Sequence, residues 1–174
     1  MVKQRFTALL MLALLCALEV SGFVPGSMKK RSFSGGALHM VGTEKSFRVP
    51  VALPNKVGEE SEDDVKKDVL IFEPLLKEKS KIVEVRYDIP CSLNIEQCEK
   101  TGLPICYLPG FNGDVPNDIL RYTSAWTKDG HCIMHDCCAG TWEECVEALC
   151  SNDEENGGEI VLLYERALSS IYNV

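Results

Sequence analysis

The chain is poor in positive charge, because 18 Lys and Arg stand against 26 Asp and Glu and give a formal net charge of −8 over 174 residues. An acidic chain repels phosphate backbones and acidic membrane surfaces, so we expect no nucleic-acid partner. Long apolar runs are also missing. The longest, residues 6–18, is shorter than the roughly 20 residues that cross a bilayer as a helix, so we expect no membrane span. The length is that of one ordinary domain and excludes a multidomain enzyme.

Sequence motifs that carry common enzyme chemistry are absent as well. No Gly-x-Ser-x-Gly elbow places a serine on a sharp turn, and no Gly-rich loop follows a strand to hold phosphates. No Cys-x-x-Cys pair indicates disulfide exchange. The sequence therefore predicts a protein that is not an enzyme and needs no cofactor.

The amino end has the pattern of two successive targeting signals. Lys3 and Arg5 precede the apolar run and small residues follow it, which predicts a signal peptide over residues 1–22. Residues 23–40 contain basic residues and Ser but no acidic residue, as in an organelle transit segment. Together they resemble the bipartite presequence of algae with secondary plastids, in which a Phe, here Phe23, opens the transit segment. The resemblance implies delivery to the plastid (chloroplast) stroma, and plain secretion is the alternative.

Residues 41–79 are interpreted as an acidic flexible arm. Without residues 1–40 the chain holds 13 basic and 25 acidic side chains, a net charge of −12, and much of the acidic excess lies at residues 58–68. A solvated linker explains this run of charge. A short helix that begins at Ser61 and carries Val65, Val69 and Phe72 is the alternative.

Residues 80–168 alternate short strand patterns with turn signals, and residues 169–174 form a C-terminal tail. Apolar periodicity predicts strands near residues 82–87, 93–96, 103–108, 118–123 and 160–164. Thr141 and Glu144 form a capping box, which predicts that a helix begins there and ends near Cys150. The expected fold class is therefore α+β, mainly β with a helix before the last strand.

Four local patterns in this order resemble a PDZ domain, closest to the PDZ-like domains of plant and algal plastid proteins. The patterns are Pro-Cys-Ser-Leu-Asn-Ile at 90–95, Asn-Asp-Ile-Leu at 117–120, Thr-Trp-Glu-Glu-Cys-Val-Glu-Ala-Leu at 141–149 and the apolar strand at 160–166. They stand where that family has its carboxylate-binding loop and second strand, its Gly-Asp-x-Ile-Leu strand, its groove helix and its final strand. The resemblance implies a partly open β-sandwich or barrel of about five strands.

The resemblance also implies a module that binds extended or C-terminal segments of plastid partner proteins. Such a segment adds a strand between the second strand and the groove helix. Ser92 replaces a loop glycine, which puts carboxylate capture in doubt if that position needs a positive φ. Trp142 replaces a His found in some PDZ groups and predicts an apolar ligand residue. The implied peptide-binding residues are Arg86, Cys91, Ser92, Leu93, Asn94, Ile95, Trp142, Val146 and Leu149, and the alternative is that the apolar ones only pack as core.

Eight cysteines remain after the signal peptide, and they support further alternatives. A secreted protein would use them as a disulfide framework, whereas a reducing stroma would keep them as thiols. Residues 131–138 concentrate thiols and imidazoles, so a redox switch or a zinc site at Cys132, His135, Cys137 and Cys138 is a second candidate function. A small structural subunit of a photosynthetic complex is a third.

Overall fold

The computed structural model describes residues 46–56 and 67–168. The predicted signal peptide, transit segment and C-terminal tail lie outside the described residues. No helix in this part of the chain is long and apolar enough to cross a membrane. The described elements, in chain order, are β1 (Phe47–Ala52), β2 (Lys67–Phe72), β3 (Ser80–Asp88), β4 (Ile95–Gln97), β5 (Pro104–Cys106), β6 (Ile119–Trp126), β7 (Cys132–Asp136), α1 (Trp142–Cys150) and β8 (Glu159–Ala167).

The strands form two open antiparallel sheets, so the fold is mainly β with one short helix, as predicted. The larger sheet has the order β3-β8-β6-β5-β4, and β7 pairs with β6 beside β5. β8 pairs with β3 over its full length, from Ser80 opposite Ala167 to Asp88 opposite Glu159. Every residue from Ile160 to Tyr164 is buried, which confirms the prediction of a strand covered on both faces.

α1 covers one face of the larger sheet. The predicted capping box is present: the Glu144 amide donates to the Thr141 hydroxyl at 3.2 Å, and the Thr141 amide donates to the Glu144 carboxylate at 2.7 Å. Cys145 and Ala148 are the buried residues of the helix. Cys145 belongs to a core cluster that also includes Val85, Leu120, Ile160, Leu162 and Tyr164. The local hydrogen bonds therefore set the start of the helix, and its apolar side sets its position.

The other face of the larger sheet is covered by the two-stranded sheet β1-β2. Phe47, Val49, Val51 and Phe72 are buried there against Ile82, Val161 and Leu163. The structure thus differs from the predicted flexible arm over residues 41–79, and Lys67–Phe72 is a strand rather than part of a helix. The alternating apolar residues of β1 gain a buried face only by packing on the larger sheet. The segment of residues 57–66, which holds most of the acidic run, lies outside the described residues.

β7 is a strand that the sequence reading missed. Its residues were interpreted as a cluster of thiols and imidazoles, whereas the structure pairs Cys132–Asp136 with β6, from Trp126 opposite Cys132 to Tyr122 opposite Asp136. The turn before β7 contains Gly130, whose φ of +75° lies in the left-handed region that favours glycine. The His and Cys side chains of residues 132–136 are therefore distributed over the two faces of a strand.

Candidate functional site

β4 forms the end of the larger sheet and pairs, among the described strands, with β5 alone. The Tyr107 amide donates to the Asn94 carbonyl at 3.0 Å, and the Cys98 amide donates to the Leu103 carbonyl at 2.9 Å. Ladder hydrogen bonds alternate along an antiparallel strand, so the N–H and C=O groups of Ile95 and Gln97 point to the open edge. An open edge of this kind is a template for the addition of another strand.

Apolar side chains from β4 and from α1 lie around one core cluster. Leu93 and Ile95 are half-buried and pack against it from the strand side, together with Cys91. Trp142 and Leu149 pack against the same cluster from the helix side. The structure therefore brings together five of the nine residues implied by the resemblance. Asn94 lies between Leu93 and Ile95, and its carbonyl is used by β5.

The helix side presents a stripe of half-buried apolar residues. Trp142, Val146 and Leu149 are each partly exposed, whereas Cys145 and Ala148 are buried. Because an α-helix turns about 100° per residue, the first three fall within about 60° of one another, beside the buried pair. We call Leu93, Ile95, Gln97, Trp142, Val146 and Leu149 the β4–α1 surface.

Ser92 does not occupy a left-handed conformation. In the described chain the non-glycine residue with a positive φ is Asn117, at 71°. The side chain of Ser92 is exposed and its backbone carries no strain of the kind expected from replacing a glycine. Cys91 precedes Ser92 in the chain. The pKa of its thiol is raised mainly by burial and further by the charge of Asp88, so Cys91 behaves here as a small apolar residue.

Arg86 lies on the opposite face of the sheet from α1. Val85 and Tyr87 belong to the cluster under α1, so strand alternation directs Arg86 towards β1-β2. Its guanidinium bonds Glu84 at 2.7 Å and Glu159 at 3.0 Å, and it also donates to the Ala52 carbonyl. The resemblance implies that Arg86 binds the peptide, but alternation along β3 turns its side chain away from the β4–α1 surface, so the geometry gives this residue no support as a peptide contact.

The residues of the alternative zinc site do not come together. Met134 packs against the β1-β2 cluster, so Cys132 shares its face while His135 points to the other side of β7. Cys137 belongs to the cluster under α1. Cys138 donates to the Leu120 carbonyl at 3.2 Å. In the described part of the chain, no three His, Cys, Asp or Glu side chains are grouped so that they could hold a metal ion.

Six cysteines of the described chain are free thiols: Cys91, Cys98, Cys106, Cys137, Cys138 and Cys145. A hydrogen bond to Cys145, together with burial, raises the pKa of Cys137. Burial and the neighbouring Asp114 raise the pKa of Cys106 to about 12. Cys98, in the turn after β4, differs, because hydrogen bonds from Thr101 and Lys100 lower its pKa. The thiols of Cys91, Cys106, Cys137 and Cys138, whose pKa values are raised, therefore stay protonated and serve as apolar packing groups.

Gln97 is a site residue that the sequence reading missed. The backbone N–H of Gln97 points to the open edge. Its side-chain amide donates to the Gly102 carbonyl at 3.1 Å. The alternation of Leu93, Ile95 and Gln97 was the available signal, but which alternate set faces outwards depends on the pairing with β5.

No protein-family model, curated protein or solved structure matches this chain. The function must therefore be argued from the geometry of the chain itself.

Proposed function

We propose that residues 80–168 are a PDZ-like protein-interaction module that binds an extended or C-terminal segment of a partner protein by strand addition along β4. The observation that carries the proposal is the open edge of β4 together with the half-buried apolar stripe of α1, because Ile95 of the strand and Trp142 and Leu149 of the helix pack against one core cluster. The capped helix directly before the last long strand, in the order that the resemblance implies, supports it. No enzymatic step is needed for this function.

The chemistry of such binding follows from the two halves of the β4–α1 surface. A partner segment beside β4 can exchange main-chain hydrogen bonds with Ile95 and Gln97. Alternate side chains of the segment then meet Trp142, Val146 and Leu149 of the helix. Main-chain bonds would supply affinity that is independent of sequence, and the apolar contacts would select alternate apolar residues.

The exposed fractions of the helix residues argue against a surface that is only core. Cys145 is fully buried and Ala148 is 7% exposed, so these two residues already anchor α1 to the sheet. Trp142, Val146 and Leu149 keep part of their surface in solvent. Covering that apolar surface with a partner would release water and stabilise the complex.

The proposed site of action is the plastid stroma, reached by the two signals of residues 1–40. The thiols of Cys91, Cys106, Cys137, Cys138 and Cys145 are not bridged in the structure, which is compatible with a reducing compartment, since an oxidising one favours disulfides. Fusion of residues 1–40 to a fluorescent protein in an alga with secondary plastids tests this part. Stromal fluorescence is expected, and secretion of the fusion would contradict it.

The experiment for the binding function replaces Gln97 by proline and, as a control, by alanine. Proline removes the outward N–H of Gln97 and leaves the bonds between β4 and β5 in place, because those use Asn94, Glu96 and Cys98. The full-length protein is titrated with a library of extended peptides, and binding is measured by fluorescence polarisation. We expect Q97A to retain binding and Q97P to lose at least about tenfold in affinity, since one outward main-chain bond is lost and the edge is obstructed. Equal affinities for two variants that unfold at the same temperature would contradict strand addition.

A further inference from the structure

The β4–α1 surface is formed by residues from two acidic stretches of the chain. Residues 88–100, which include β4 and the segments on both sides of it, contain three acidic residues and one Lys. Residues 141–158, which include α1 and the loop after it, contain six acidic residues and neither Lys nor Arg. A segment bound between these stretches would therefore experience a negative potential from both sides.

The helix places two of these charges next to the apolar stripe. At about 100° per residue, Glu143 follows Val146 around the helix by about 60°, and Glu147 follows it by about 100°. Both carboxylates are exposed, whereas Glu144 is engaged with the Thr141 amide in the helix cap. Glu143 and Glu147 therefore form an acidic rim along the solvent side of the β4–α1 surface.

The cations nearest to this surface along the chain are Arg86 and Lys100. Arg86 is on the opposite face of the sheet and binds Glu84 and Glu159. Lys100 follows the far end of β4, away from the loop of residues 90–94 where a ligand carboxylate was expected. A free carboxylate at that loop would meet backbone amides and an exposed Ser92, but no positive side chain of the loop or of α1.

We propose that the β4–α1 surface selects an internal extended segment whose alternate apolar residues are flanked by Lys or Arg, an inference that rests on the proposed function. A free C-terminal carboxylate is disfavoured. Charge complementarity with the acidic rim supplies the selectivity, and it acts mainly on the association rate and the choice of partner. Because the carboxylates are exposed, the preference weakens as salt screens them.

Three peptides with one alternating apolar core test this inference on the full-length protein. They differ only in their flanks, which are Lys, Gln or Glu, and each is made with a free carboxylate and with an amide end. We expect the Lys-flanked peptide to bind on the order of tenfold more tightly than the Glu-flanked one at low salt, with a smaller ratio at high salt. The amide form is expected to bind at least as tightly as the free acid.

A charge-reversal variant with a matched control locates the effect. The double variant E143K/E147K should lose or invert the preference for Lys flanks. The double variant D68K/D129K changes the net charge equally at exposed positions on β2 and in the β6–β7 turn, and it should keep the preference. Thermal unfolding of both variants is measured as a control, and each is expected to remain folded.

The outcomes separate this inference from the proposed function. Equal affinities for the three flanks, tighter binding of the free acid, or a preference that E143K/E147K leaves unchanged would overturn the inference while strand addition stands. If no peptide binds the folded protein at all, the proposed function fails and the inference falls with it. Tight binding of Lys flanks that E143K/E147K abolishes and D68K/D129K preserves would support both.

Discussion

Replacing Glu165 with glutamine tests the buried ion pair that ties β8 to β6 and to the chain before β3. The Glu165 carboxylate is fully buried and accepts the Leu75 and Leu76 amides, each at 3.0 Å, and the Ser80 hydroxyl at 2.8 Å. It is also paired with the guanidinium of Arg121, which is itself 4% exposed.

The magnitude follows from what the substitution leaves behind. Glutamine keeps the shape of the side chain but removes the charge that neutralises Arg121, and its amide nitrogen cannot accept from the donors around it. Arg121 remains held by the Glu73 carbonyl at 3.0 Å and by the Phe72 ring at 4.7 Å, so it cannot easily swing into solvent. Removing one partner of a buried pair costs about 3–5 kcal/mol. We expect E165Q to lose that much free energy of unfolding.

The assay is urea unfolding at 25 °C, with E84Q as the matched control. Glu84 makes the same kind of ion pair with Arg86, but the two side chains are 21% and 29% exposed. Pairs in contact with solvent contribute about 0–1 kcal/mol, so E84Q should stay within about 1 kcal/mol of the parent protein. A loss of stability for E165Q no larger than that for E84Q would show that the buried pair contributes no more than an exposed one. If E165Q does not fold, S80A removes one hydrogen bond to the same carboxylate and should cost about 1 kcal/mol.

Two further predictions concern the effect of pH and of the helix cap on the stability of the folded protein. The pKa of Cys106 is raised from 9.0 to about 12 and that of Cys138 to about 11, so the folded state holds these protons more tightly than the unfolded state. Their contribution to the free energy of unfolding is fully present below pH 9 and is lost as the pH rises above it. At about pH 10 the loss is about 1.4 kcal/mol per thiol. Urea unfolding in reductant across this range measures the loss, and C106A should make it shallower. T141A removes the hydroxyl that caps α1 and should cost about 1 kcal/mol in the same assay, and an unchanged midpoint would contradict the role of the cap.

Local hydrogen bonds and periodicity explain the elements that were predicted correctly. The Thr141–Glu144 capping box spans three residues, so it is complete within the sequence itself. The alternating run that became β3 and the continuous apolar run that became β8 also carry their own burial pattern. These features depend on near neighbours along the chain, which a sequence displays directly.

The features that were missed depend on partners far away in sequence. β1 and β2 were assigned to an acidic arm because the charges between them dominate the composition, yet their apolar faces are completed by Ile82, Val161 and Leu163. β7 was hidden by its unusual His and Cys content. The buried pair of Arg121 and Glu165 joins residues 44 positions apart, and nothing in either local sequence marks it.

For the candidate site, composition and local pattern establish which side chains are apolar, where α1 begins and how acidic its surroundings are. The packed sheets alone reveal that β4 lies at the end of the larger sheet, that the backbone groups of Ile95 and Gln97 point to its open edge, and that the side chain of Arg86 points away from α1. This division arises because a strand has two faces and two edges. Which of them is covered depends on the layers and strands that pack against it, and these come from distant parts of the chain.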